Sequence, residues 1–95
     1  MNNIEKEYNN TNYLRREILE FAFAMEEEMR KKDKLGYENK SMTIQYLEEK
    51  LHEERDEVDD CFINNNMIKF INEESLHEGI ILALLRYRLK EEQSN

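Results

Sequence analysis

An all-α fold is predicted: a three-helix antiparallel protomer that completes a helical bundle by oligomerisation. Three observations predict it. The 95 residues include no Pro and only two Gly, so few turns are marked and nearly every stretch is compatible with helix. Apolar residues recur at steps of three and four in three separate stretches, the period of a helix with one buried face. A chain this short buries only about 60 to 65% of the surface its unfolded form exposes, which favours association with further copies.

The elements follow in order. Residues 1–11 hold four Asn and little that can be buried, as expected of a disordered or frayed leader. Residues 12–92 read as a single helical domain. From Tyr13 onward, Leu14, Ile18, Phe21, Ala22, Met25 and Met29 define a first helix reaching about Lys32, with Asn10 to Asn12 as cap candidates. Periodicity lapses from Asp33 to Ser41, around Gly36, which predicts the main loop. A second helix starts near Ser41 or Thr43 and carries Ile44, Leu47, Leu51, Val58 and Phe62, until Asn64, Asn65 and Asn66 end it. The third carries Met67, Ile71, Ile81, Leu85 and Leu89; Asn72, followed by Glu73 and Glu74, offers an alternative start.

Charge and composition exclude several functions. Lys and Arg total 14 against 22 Asp and Glu, a formal charge of −8, so a nucleic-acid partner is not expected. No run of 18 or more apolar residues predicts a membrane span, and the polar segment Met1 to Asn12 lacks the apolar core of a signal peptide, so a cytoplasmic location is expected. The single Cys61 beside two His falls short of a zinc site and reads as a small apolar side chain near a helix end. His52 reads as solvent-facing, and the Met25 and Met29 pair as core.

Two helices carry acids where apolar residues belong. Between Leu51 and Val58 the stripe position is Glu54, with Glu57 three residues on and Glu53 at its flank. Between Ile71 and Ile81 the stripe positions are Glu74 and Glu78, with His77 beside them. Burying several carboxylates together is costly, because like charges repel and each loses its hydration. A hard divalent cation compensates directly, and Mg²⁺, with Mn²⁺ as the alternative, takes oxygen ligands and completes its shell with water or phosphate. With 38% charged residues the plainer reading also stands, a solvated face on which Lys50, Arg55 and Lys69 form ordinary ion pairs.

Glu53-Glu54-Arg55-Asp56-Glu57, led in by Tyr46-Leu47 and Leu51 and followed on the next helix by Glu74-Ser75-Leu76-His77, resembles the MazG-like all-α nucleoside triphosphate pyrophosphohydrolases. Their signature is Glu-Glu-x-x-Glu, then Glu-x-x-Asp. The stretch Phe23-Ala24-Met25 through Lys34-Leu35-Gly36-Tyr37 is similar to the family's segment ending in a Lys-Gly-Trp-like turn, so the resemblance spans about residues 21 to 89. His77 stands where the family has Asp, and Ile80 where an Asn often follows; Glu78 is placed to supply the missing carboxylate. The resemblance implies Mg²⁺-dependent hydrolysis of a nucleoside triphosphate, or a modified nucleotide, to monophosphate and pyrophosphate in a homodimer or homotetramer. It implies Glu54, Glu57 and Glu74, with Glu78 or His77, as metal ligands, and Glu53 as the residue that orients or deprotonates water. Lys31, Lys32 and Lys34 would meet the triphosphate and Tyr37 the base. Two alternatives remain open: a lapsed enzyme that binds and sequesters a nucleotide, and a helical protein-interaction module.

Overall fold

A computed structural model describes residues 14–32 and 42–94, and these are all helix apart from short flanks and one turn. The predicted leader 1–11, the cap candidates Asn10 to Asn12, the Tyr13 start and the loop 33–41 lie outside the described residues. Helix α1 spans Arg16–Lys32 and α2 spans Ile44–Ile63. After a three-residue turn the chain runs without a break through a single turn α3 (Met67–Lys69), a π-helical stretch (Phe70–Glu74) and α4 (Ser75–Ser94).

Local chemistry fixes both ends of α2 and the start of α3. Thr43 sits in extended backbone with its Oγ1 accepting from the Tyr46 N–H at 3.1 Å, which satisfies an amide left open by the first turn of α2. The three Asn of the turn divide the work. Asn64 is the C-cap. Asn65 takes a left-handed φ of 53°, and its N–H bonds Phe62 O while that of Asn66 bonds Cys61 O, the paired bonds of a Schellman ending. Asn66 then turns its side chain forward to accept from the Lys69 N–H at 3.2 Å, capping the next helix. The start at Met67 therefore prevails over Asn72, which lies inside the π-helical stretch.

That stretch rotates everything after it. The Ser75 N–H reaches back five residues to Phe70 O, and Ser75 Oγ donates to the bypassed Ile71 carbonyl at 3.3 Å. The inward row consequently runs through Met67, Phe70, Glu74, His77 and Ile81, and Ile71, predicted on that stripe, is 63% exposed. Phe62 is corrected in the same way: it is 56% exposed, Cys61 takes its place in the core, and its ring leans on Phe70 with centroids 4.9 Å apart.

The core is small, comprising Leu47, Val58 and Cys61 from α2 with Leu76, Ile80 and Ile81 from α4. Helix α4 is central. It packs on α2 along one side and on α1 along another, and among the described residues α1 and α2 do not pack on each other. The two contacts bury Ile80 and Ile81 and half-cover Leu84 and Leu85 of the run Ile80-Ile81-Leu82-Ala83-Leu84-Leu85, while Leu82 stays 47% exposed. Gly79 lets α1 come close: a Cβ there would stand 2.7 Å from both Met25 Sδ and Phe21 Cζ.

Candidate metal centre

The stripe of α2 places Glu54 one turn from Val58 and two from Leu47, so its carboxylate enters the core, where the residue is only 6% exposed. Glu57 follows at the edge of that face. Across from them the π-helical rotation turns Glu74 and His77 inward, Glu74 being 4% exposed. One donor atom from each of Glu54, Glu57, Glu74 and His77 lies within 4.8 Å of all the others.

The imidazole occupies the middle. Its Nδ1 stands 3.8 Å from Glu54 Oε2 and 3.9 Å from Glu74 Oε2, while its Nε2 faces Glu28 Oε1 of α1 at 3.6 Å. Lys69 Nζ approaches Glu74 Oε1 from outside at 4.0 Å. The acids divide the proton unequally. The hydrogen bond from Glu74, with a second from Glu54, holds Glu57 below the usual carboxylate range against the opposing effect of burial. Burial, then the shared hydrogen bond and the negative charge of Glu57, raise Glu74 to about 7. Its Oε2 is buried and accepts no hydrogen bond.

This arrangement fits a divalent cation. Ligands opposite one another on Mg²⁺ are about 4.2 Å apart, so a 4.8 Å span closes around an ion with shifts of a few tenths of an ångström. The buried, unsatisfied oxygen of Glu74 and the mutual repulsion of the acids are both relieved by positive charge at the centre.

The other expected residues fall elsewhere. Glu78 is half-buried with Oε2 enclosed and unbonded, but it is not one of the four clustered residues. Glu53 is exposed and pairs with Lys50 Nζ at 3.1 Å. Lys31 is exposed at the end of α1; the Lys32 side chain, Lys34 and Tyr37 lie outside the described residues. His52 is exposed, and burial pushes the Cys61 thiol up, as suits a packing residue. Arg55 pairs with Asp59 at 4.0 Å, an ordinary surface contact.

Glu28 was missed by reading the sequence, although a signal existed. It follows Phe21 by seven residues, Ala24 by four and Met25 by three, an acid on the apolar face of α1 of the same kind as Glu54 on α2. Glu28 also lines a cavity of about 660 Å³ between α1 and the start of the last helix, whose walls include Lys31, Phe21, Phe70, Ser75 and Leu76. Glu17, Glu20 and Glu27 make those walls acidic. No helix among the described residues is long and apolar enough to cross a membrane. No family model, no curated protein and no solved structure matches the chain, so its functional reading rests on these residues and their placement.

Proposed function

We propose that the chain is a metal-dependent nucleoside triphosphate pyrophosphohydrolase, releasing monophosphate and pyrophosphate. The observation that carries this reading is the convergence of Glu54, Glu57, Glu74 and His77 within 4.8 Å, with a buried, unbonded carboxylate oxygen among them. These are the positions at which the MazG-like pattern has its metal ligands. Glu54, Glu57, Glu74 and His77 would hold the cation, Mg²⁺ or Mn²⁺. When bound, it supplies charge to neutralise phosphate oxygens and lowers the pKa of a coordinated water.

The chain's own residues supply positioning. The cavity beside the centre is of a size that takes a nucleotide, at about 660 Å³. Its acidic walls, relieved among the described residues only by Lys31, repel a bare triphosphate, so a nucleotide enters as its metal complex with Lys31 meeting the outer phosphates. Glu53, on the neighbouring face of α2, is the candidate for orienting or deprotonating water and is freed for that role when Lys50 releases it. Assembly into a homodimer or homotetramer closes the site, because none of the described side chains of α1 is fully buried.

The test is incubation with canonical and modified nucleoside triphosphates and Mg²⁺ or Mn²⁺, with products separated by chromatography. Monophosphate and pyrophosphate that vanish in Glu54→Gln are expected. Saturable nucleotide binding without products would make the chain a sequestering protein, and neither binding nor products would leave an interaction module.

A further inference from the structure

Resting on the metal reading above, we infer that the centre selects a first-row transition cation such as Mn²⁺ over Mg²⁺ and Ca²⁺, with His77 as the selecting ligand and Glu28 as its positioning residue. Cation size does not decide the matter. Donors spread over 4.8 Å accommodate Mg²⁺ after slight contraction and Ca²⁺ with none, since opposite oxygens on Ca²⁺ are about 4.6 to 5.2 Å apart.

Donor chemistry does decide. Imidazole suits the transition ions, whereas Mg²⁺ and Ca²⁺ take oxygen. His77 cannot be bypassed, because Nδ1 stands 3.8 and 3.9 Å from the buried oxygens of Glu54 and Glu74 that a cation would have to satisfy. The enclosed Glu74 Oε2 accepts no hydrogen bond on a residue 4% exposed, and Lys69 Nζ approaches only the other oxygen of that carboxylate, at 4.0 Å, so this oxygen independently points to a ligand at the centre.

Glu28 completes the arrangement from a third helix. Its carboxylate faces Nε2 at 3.6 Å, on the edge of the ring opposite the cluster, and only 16% of either side chain is exposed. A carboxylate behind a ligating imidazole orients the ring and strengthens its inner nitrogen as a donor. Glu74-x-x-His77 on one helix, with Glu54 on a neighbour, is one half of the donor arrangement by which helical bundles hold manganese or iron.

Calorimetric titration of the full chain with Mn²⁺, Mg²⁺ and Ca²⁺, combined with pulsed electron paramagnetic resonance of the Mn²⁺ form, tests this. Mn²⁺ is expected to bind at least about tenfold more tightly than Mg²⁺, with a ¹⁴N coupling from the imidazole in its spectrum. His77→Asp should erase the coupling and narrow the preference. Glu28→Gln should weaken Mn²⁺ by about 10- to 100-fold and diminish the coupling while the metal-free melting temperature stays close to wild type. Equal affinity for Mg²⁺ and Mn²⁺ with no ¹⁴N coupling in the wild type would overturn the inference and leave the metal site standing. Failure of every cation to bind would overturn the site itself. The wild-type spectrum decides even where a variant fails to fold.

Discussion

At the residue scale the unusual group is Glu74, buried against Glu54, Glu57 and His77 with Lys69 outside. Its folded pKa of about 7 lies above the ordinary 4.5, so the folded protein holds this proton more tightly than the unfolded chain does. The contribution to stability is therefore fully present below about 4.5 and is lost as the pH rises through about 7. Glu57 acts in the opposite sense: its pKa is lowered, so its contribution is present above 4.5 and lost as the pH falls through its folded value. In chelator, the melting temperature is expected to fall between these limits and to level off above pH 7. Glu74→Gln removes the buried charge, and should flatten that slope and stabilise the metal-free protein near pH 8 by roughly 1 to 2 kcal/mol, at the cost of metal binding. Calorimetric melts of both proteins across the range provide the check. An unchanged slope in the variant would place the titration elsewhere.

At the element scale, the turn between α2 and α3 depends on Asn65 in a left-handed conformation, which Gly adopts without Cβ strain. Asn65→Gly is expected to raise stability by up to about 1 kcal/mol in urea melts. Asn66→Ala should lower it by about 1 kcal/mol, because the Lys69 amide loses its cap. Gly79 presents a contest. Ala there gains about 1 kcal/mol of helix propensity, yet its Cβ would meet Met25 Sδ and Phe21 Cζ at 2.7 Å, and overpacking costs about 1 to 3 kcal/mol. Gly79→Leu has nearly the same gain but meets a larger clash, and should destabilise by about 2 kcal/mol or more.

The existence of three helical segments was legible because composition and a period of 3.6 point the same way, and Thr43 was among the expected starts. The rotation within the last segment was not legible. Seven-residue spacing from Ile71 assigned Glu78 to the inward row, whereas the five-residue bond from Ser75 to Phe70 brings His77 there and turns Ile71 out. Glu54, Glu57 and Glu74 were readable as acids on or beside apolar stripes. Glu28 escaped because its partner is His77 on α4, a pairing that no local spacing reveals.

At the scale of the whole molecule, the described residues form a thin core around α4 and leave much apolar surface uncovered. Ile63 is 78% exposed, and Ile68, Ile71 and Tyr87 are also exposed. Such surface on a small chain is expected to be covered by another copy. Sedimentation velocity should show a dimer or tetramer at micromolar concentration, and Ile63→Lys with Ile68→Lys should shift it toward the monomer if those residues lie at the contact. A monomer at high concentration would leave the site open on one side.

The central claim is that the acids of α2 and the last helix, with His77, form a divalent metal site, and thermal melting in chelator against saturating Mn²⁺ or Mg²⁺ tests it most directly. At about 100 times the dissociation constant a single bound ion stabilises the fold by about 2.7 kcal/mol, a rise of about 10 °C or more for a domain of this size. That rise is expected in the wild type and should disappear in Glu54→Gln. No rise with either cation, or an equal rise in the variant, would contradict the claim.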